Sequence, residues 1–200
     1  MKKIILTLIT ISTLLLGGTT SEAQVYSKGD IVVDAFYGGP NLYTTVLKAA
    51  YNSSNYINPS YTSIGPFGIT GEYLLSSKIG IGLEATYALS TFQGSYDNGL
   101  GNYTDKVSVN RLRVLPRVNF HFGSSKKFDP YLTCGIGYYS ATAKYTSNDP
   151  YSTPASLSSP IPIAYRVGFG VRYFFTEHFG LMAEAGFGGA LIRGGVTVKF

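Results

Sequence analysis

The chain has 200 residues and a formal net charge of +5, and only 14% of its residues are charged, where a soluble domain averages about 25%. Gly (24), Tyr (17) and Phe (12) are abundant, and the single Cys excludes a disulfide framework within the chain. After the N-terminal segment, the length suffices for one domain, and no stretch approaches the roughly 20 apolar residues of a spanning helix.

The first 23 residues have the order of a secretory signal peptide. Lys2 and Lys3 precede a short apolar stretch, Ile4 to Leu16, and a small-residue site ends at Ala23. The apolar stretch is too short to span a membrane as a helix. We therefore expect cleavage between Ala23 and Gln24, which leaves residues 24–200 as a single domain.

Apolar and polar residues alternate with a period of two and predict eight strands. Their approximate ranges are 30–38, 64–75, 79–92, 106–122, 130–145, 163–174, 181–188 and 192–200. The fourth strand contains Pro116, which removes a ladder donor and predicts an irregularity. In the same strand, Val107 and Val109 fall on the face opposite Leu112, and either a bulge or a position at the rim would explain this slip.

The connections between these strands alternate in length. The long ones cover about 39–63, 93–105 and 146–162, and the short ones cover 76–78, 123–129 and 175–180. Transmembrane barrels have long extracellular loops and short periplasmic turns, so both termini are expected in the periplasm. Residues 44–51 of the first long connection fit a short amphipathic helix and an irregular loop equally well.

The face opposite the apolar residues carries the charged side chains of the strands. They are Asp34, Glu72, Glu84, Arg113, Arg117, Arg166, Arg172, Glu184 and Arg193. Glycines between them leave room for long arginine side chains that reach across to carboxylates, and a barrel of about eight strands is just wide enough for side chains to fill it. Because an unpaired buried charge is costly, we predict an ion-pair network that plugs the lumen. The alternative is a narrow polar pore for small solutes or ions.

Three segments resemble the small bacterial outer-membrane β-barrel family, similar to OmpA transmembrane domains and OmpX-like proteins. They are Arg166 to Phe174 (RVGFGVRYF), Gly180 to Glu184 (GLMAE) and Gly195 to Phe200 (GVTVKF), and the signal peptide agrees with them. The resemblance implies an all-β, eight-stranded antiparallel up-and-down barrel in the bacterial outer membrane. In that family the terminal aromatic, here Phe200, belongs to the signal that the barrel-assembly machinery reads. This machinery, periplasmic chaperones, outer-membrane lipid and lipopolysaccharide are therefore the expected partners.

No catalytic, cofactor-binding or metal site is predicted. The fragments Gly135-Ile-Gly137 and Gly168-Phe-Gly170 lie within strands and do not open a helix, which argues against phosphate binding. His121 and His178 have no second close ligand and fall near the short turns, which disfavours both a metal site and an outer-rim lipid-modifying enzyme. The basic residues alternate along strands, so nucleic acid is not an expected partner.

A structural or surface-recognition role is therefore the leading functional expectation. The loops 39–63, 93–105 and 146–162 are rich in Tyr, Asn, Ser and Pro. Tyr supplies rigid amphipathic contact area, which suits binding of an extracellular ligand.

Overall fold

The computed structural model describes residues 24–51, 56–97, 99 and 101–200. These residues form one helix, α1 (Leu42–Tyr51), and nine strands. The strands are β1 (Ile31–Gly39), β2 (Ile57–Ser76), β3 (Ile79–Asp97), β4 (Asn102–His121), β5 (Phe128–Ser147), β6 (Ala155–Ser158), β7 (Ile163–Phe174), β8 (Phe179–Phe187) and β9 (Ile192–Lys199). The predicted signal peptide and its last residue, Ala23, lie outside the described residues.

Eight of the strands close into a ring in the order β1-β2-β3-β4-β5-β7-β8-β9, with every neighbouring pair antiparallel. β9 pairs back to β1, so that Asp34 of β1 lies between Thr70 of β2 and Thr197 of β9. The short β6 pairs with the end of β5 outside this ring. Closure pairs the strand edges with one another. The predicted eight-stranded antiparallel barrel is confirmed.

The two ends of the barrel differ. We call the end that carries α1 the α1 end, and the opposite end, with the short connections and Phe200, the turn end. Outward-facing aromatic residues form a ring near each end. The ring near the α1 end contains Tyr37, Phe67, Tyr87, Tyr138, Tyr165 and Phe187, and the ring near the turn end contains Tyr73, Phe120, Phe122, Phe128, Tyr173 and Phe179.

The distance between these aromatic rings fits a bilayer. About ten residues separate Leu112 from Phe122, which corresponds to about 34 Å along the strand and about 26 Å across a membrane at a tilt of about 40°. Apolar side chains between the rings, such as Ile69 and Leu83, are half exposed on the outer surface. This arrangement matches the apolar band of about 25 Å and the aromatic girdles of a transmembrane barrel.

The wall has unequal height around the ring. Strands β2 to β5 contain 19 or 20 residues each, whereas β7, β8 and β9 contain 12, 9 and 8. About 9–11 residues cross a bilayer, so β2 to β5 rise well above the aromatic ring. We call this extension at the α1 end the tall wall, and the ends of β7, β8, β9 and β1 the low rim.

The predicted loops at 39–63 and 93–105 are partly wrong, because β2 begins at Ile57 and the β3–β4 hairpin continues to Asp97 and Asn102. Cross-strand hydroxyl pairs such as Ser95–Thr104 (3.0 Å) accompany the extra pairing. Outside the lipid band neither face of a strand needs to be uniformly apolar, so the period-two signal disappears while the ladder continues.

Helix α1 decides between the two alternatives for residues 44–51 in favour of helix. Where the helix begins, the carbonyl of Asn41 accepts a hydrogen bond from the amide of Thr44 at 3.0 Å. Leu47 is buried against Phe92 and Val109, and this packing stabilises a helix that would be marginal alone. In the described part of the chain, no helix has the length and apolar content needed to cross a bilayer.

Strand β4 keeps a single register with β3 from Asn102 to Phe120, so the bulge suggested by Val107 and Val109 is wrong. The rim explanation holds, because both valines face the apolar interior of the tall wall. Pro116 faces outward. The pairing of β4 with β5 lapses at Leu115 and Pro116 and resumes in the same register at Arg117, as expected where Pro lacks an amide proton.

Candidate functional site: the charged lumen

All six arginines of the chain lie on strands of the ring and face inward. Alternation along each strand brings them to the interior together with Asp34, Glu72, Glu84, Asp129 and Glu184, each of which is at most 2% exposed. Their contacts divide them into two clusters along the barrel axis and one pair of arginines nearer the α1 end.

The Glu184 cluster contains Glu84, Arg117, Arg166, Glu184 and Arg193. Arg117 and Arg193 each bridge the two carboxylates, with nitrogen–oxygen distances of 2.7 to 3.0 Å. Arg166 contacts Glu184 at 2.8 Å. These side chains are at most 2% exposed. Three guanidinium groups and two carboxylates leave a formal excess of one positive charge.

The Arg172 cluster contains Asp34, Glu72, His121, Asp129 and Arg172, and lies nearer the turn end. Arg172 contacts the carboxylates of Asp34 and Glu72 at 2.8 Å each, and that of Asp129 at 3.7 Å. His121 places Nε2 at 2.8 Å from Glu72 and Nδ1 at 3.0 Å from Asp129. Both ring nitrogens face carboxylate oxygens, so the doubly protonated imidazolium fits this geometry.

Tyr131 connects the two clusters. Its hydroxyl donates to Glu184 at 3.0 Å, and its ring lies 4.5 Å from the guanidinium carbon of Arg172. With His121 counted as imidazolium, the four arginines and His121 formally balance the five carboxylates of the two clusters. Neither cluster is neutral alone, so the balance exists only across both.

Apolar packing covers the Arg172 cluster from the turn end. Val25 and Tyr26 fold back against Val32, Leu74 and Phe174. The hydroxyl of Tyr26 accepts a hydrogen bond from Arg172 at 3.3 Å, and its ring packs edge-on against His121 with centroids 5.0 Å apart. Val25 and Tyr26, which precede β1, are thus part of the lumen packing.

A second apolar region, the Phe92 cluster, lies inside the tall wall and contains Leu47, Tyr51, Tyr56, Tyr61, Phe92 and Val109. Phe92 is fully buried and stacks on Tyr51 with ring centroids 4.2 Å apart. Asp105 accepts hydrogen bonds from the hydroxyls of Tyr56 and Tyr145 beside this cluster. Burial, together with the hydrogen bond to Asp105, raises the pKa of the Tyr56 hydroxyl above its ordinary value.

The two clusters contain eight of the nine charged residues selected from the sequence. The ninth, Arg113, lies apart and donates to the backbone carbonyl of Tyr165 at 2.6 Å. Sequence reasoning missed His121, Asp129, Tyr131 and Tyr26. His121 was placed near the end of the predicted fourth strand, close to a turn, and Asp129 in the connection 123–129. Alternation nevertheless puts His121 on the same inner face of β4 as Arg117, and Asp129 on the same inner face of β5 as Gly135.

Gly80 and Gly170 show how inward glycines make room in the lumen. A Cβ at Gly80 would lie 1.9 Å from the carboxylate of Glu72, and one at Gly170 would lie 2.3 Å from the ring of Tyr131. The space is therefore used by a carboxylate and a tyrosine, whereas the sequence suggested arginines.

The lumen clusters do not converge on a metal position. Glu72 and Asp129 contact opposite nitrogens of His121, and no group of three or more His, Cys, Asp or Glu side chains in the described ranges is placed to hold a metal ion.

Comparison with protein families matches residues 11–193 to the outer membrane protein beta-barrel domain. The chain belongs to this family. It is accordingly an outer-membrane β-barrel of the small bacterial type, as its girdles and closed ring indicate. No curated protein matches the sequence.

Several solved structures are similar to this outer-membrane barrel. The N-terminal β-barrel domain of Pseudomonas aeruginosa OprF is 17% identical, with a TM-score of 0.47 over 88% of this chain and 100% of that one. P. aeruginosa OprG is 14% identical, with a TM-score of 0.46 over 88% and 97%. E. coli outer membrane protein W is 17% identical, with a TM-score of 0.44 over 88% and 100%.

Proposed function

We propose that the protein is a non-enzymatic surface barrel of the outer membrane whose lumen is closed by its own side chains. The paired charges of the Glu184 and Arg172 clusters carry this proposal. Nine buried charged side chains, with His121, span the interior from several strands, and an eight-stranded interior is only wide enough for side chains. A wide conducting path would have to break buried ion pairs at two levels, and each such break is costly.

Conductance in planar bilayers tests this closure. The refolded wild-type barrel is expected to give no sustained ohmic current. A variant that removes both bridging arginines of one cluster, Arg117→Ala with Arg193→Ala, opens the Glu184 level but leaves the Arg172 level in place, so it should also stay closed. Sustained current through the wild-type protein would overturn the proposal and favour the narrow channel.

The proposed orientation places the termini in the periplasm and the α1 end outside the cell. The tall wall, α1 and β6 all lie at one end, and the connections at 77–78 and 175–178 lie at the other, which is the asymmetry of outer-membrane barrels. In a Cys134→Ser background, an impermeant maleimide should label Tyr151→Cys in intact cells and Ser125→Cys only after permeabilisation. The reverse result would overturn the orientation.

Recognition of an extracellular ligand is the proposed role of the α1 end. Tyr151, Leu157 and Ile161, on the connection between β5 and β7, are 82%, 74% and 63% exposed. Large apolar side chains exposed on one surface connection offer contact area to another molecule. The barrel in nanodiscs should bind at least one ligand from a panel of immobilised matrix proteins and glycans. Replacement of all three residues by Ser should abolish that binding. Unchanged binding, or none, would leave the barrel with a structural role.

Phe200 is proposed as part of the assembly signal read by the barrel-assembly machinery. Its backbone pairs with Ile31 in both directions, at 3.0 and 2.8 Å, while its side chain is 70% exposed. The ring therefore contributes little to barrel packing and is open to another protein. Phe200→Ser should reduce the amount of barrel assembled in cells without lowering its stability once refolded in detergent; equal assembly would contradict this role.

A further inference from the structure

A cavity of about 420 Å³ opens at the α1 end of the lumen, beyond the Glu184 cluster. Its floor includes Thr86, whose hydroxyl donates to Glu84 at 3.1 Å. Arg111 and Arg113 line it from β4, and Tyr43 and Tyr139 line it from α1 and β5. The two tyrosine hydroxyls lie 2.9 Å apart across the mouth.

Arg111 and Arg113 differ from the other four arginines because neither pairs with a carboxylate among the described residues. Arg111 donates to the side-chain oxygen of Asn41, and its guanidinium lies 4.2 Å from the ring centre of Tyr43. Its Nε is buried without a hydrogen-bond partner. Arg113 donates to the carbonyl of Tyr165 at 2.6 Å. Two partly buried cations, one with an unused donor, therefore face a space large enough for a ligand.

The tyrosine pair adds a further donor. In a hydroxyl–hydroxyl contact one group donates to the other, and the accepting hydroxyl keeps its own proton for another partner. Gly189 contributes by its small size, because a Cβ there would lie 2.1 Å from Nη1 of Arg113. The donors around this cavity thus match the oxygens of an anionic group, which guanidinium groups bind through charge-assisted hydrogen bonds.

The remaining lining is apolar and leads over the low rim. Ala88 and Ala164 leave the cavity wide, and Ile163, Phe187 and Leu191 continue it toward the outer surface at the level of the aromatic ring. Ile163 and Phe187 are 58% and 71% exposed there. A molecule with an anionic head and an apolar body can place the head at the arginines and the body along this rim.

We propose that this cavity binds the oxyanion head group of an amphiphile, held by Arg111 and Arg113. A carboxylate or a phosphate satisfies the same donors. A free amphiphilic acid reaches the cavity from solution, and a lipopolysaccharide phosphate reaches it over the low rim. The lipopolysaccharide source rests on the proposed orientation, whereas the free acid does not.

Calorimetric titration of the barrel in neutral detergent with decanoate, and with decanol as the uncharged match, tests the site. Decanoate should bind the wild type. The double variant Arg111→Gln/Arg113→Gln should have an affinity for decanoate at least about tenfold lower, because charge-assisted hydrogen bonds are lost. Lys144→Gln removes an exposed charge from the outside of the same wall and should leave the affinity unchanged. Decanol should bind more weakly than decanoate.

A cavity-filling variant, Ala88→Leu, keeps both arginines and should weaken decanoate as well. Decanoate binding that is equal in the wild type, the double Gln variant and the Ala88→Leu variant would overturn the proposal.

To separate the two ligand sources, barrels in nanodiscs are exposed to vesicles of lipopolysaccharide or of phosphatidylcholine. If only lipopolysaccharide is retained, and only when the arginines are present, the natural ligand is the lipid. If only decanoate binds, and only when the arginines are present, the natural ligand is a free amphiphilic acid. If neither binds, the proposed site is wrong; conductance of the wild-type barrel, by contrast, bears only on the closure proposed above.

Discussion

The ion pair between Arg166 and Glu184 provides the most direct measure of how strongly the lumen charges are coupled. Nε and Nη2 of Arg166 both lie 2.8 Å from Oε1 of Glu184, and both side chains are at most 1% exposed. Glu184 is the one carboxylate that Arg166 contacts among the described residues, whereas Glu184 also contacts Arg117 and Arg193. The two partners should therefore respond differently to removal.

Glu184→Gln leaves Arg117 and Arg193 with Glu84 as their one carboxylate and leaves Arg166 with none among the described residues. Because removing one partner exposes uncompensated buried charge, this variant should lose about 3–5 kcal/mol of unfolding free energy. Arg166→Gln leaves Glu184 with two arginines and should lose about 1–3 kcal/mol. The double variant should lose less than the sum of the two by about 1–3 kcal/mol, the coupling expected between contacting residues in one network.

Urea unfolding in lipid vesicles, followed by far-UV circular dichroism because the chain has no Trp, measures these differences. Glu177→Gln, an exposed residue on the connection between β7 and β8, is the matched control and should change stability by less than about 0.5 kcal/mol. If the losses at Glu184 and Arg166 add within about 0.5 kcal/mol, the pair is not coupled and the network reasoning fails.

Three further perturbations test other parts of the fold. Gly195→Ala should destabilise the barrel by about 1–3 kcal/mol in the same urea assay, because its Cβ would lie 2.0 Å from the carbonyl oxygen of Ala35. Gly71→Ala is the control and should be neutral or slightly stabilising, because a Cβ there would meet no atom within 4 Å. Equal effects of the two substitutions would contradict the packing of β9 on β1. Phe92→Ala removes the centre of the Phe92 cluster and should make α1 and the tall wall sensitive to protease, while the barrel keeps its heat-dependent gel mobility. Leu157→Ala, at an exposed position, is the control and should not change protease sensitivity. Cys134 is exposed on the outer wall, so in vesicles it should react with a membrane-permeant maleimide and resist an impermeant one; rapid labelling by the impermeant reagent would place this wall outside the lipid.

The outer surface of the barrel could be read from the sequence because lipid imposes a simple rule on it. Along each transmembrane stretch, alternate residues must be apolar. The positions of the strands, their number and the residues that face lipid therefore follow from the period-two pattern. The same alternation identified Glu72, Arg172 and Glu184 as inward-facing. Beyond the lipid band this rule no longer applies, so the outermost parts of the tall wall, residues 57–63, 93–97 and 102–105, were predicted as loop.

The pairing inside the lumen was decided only by the tertiary structure. Sequence parity places a side chain on the inner face, but strand stagger and closure determine which residues share a level and meet across the interior. Arg113 and Arg117 have the same parity on β4, yet Arg117 reaches two carboxylates and Arg113 reaches a backbone carbonyl at the mouth. His121 becomes a bridge between Glu72 and Asp129 for the same reason: Asp129 lies on the neighbouring strand β5, whereas Glu72 of β2 is distant in sequence and comes within reach only once the ring closes.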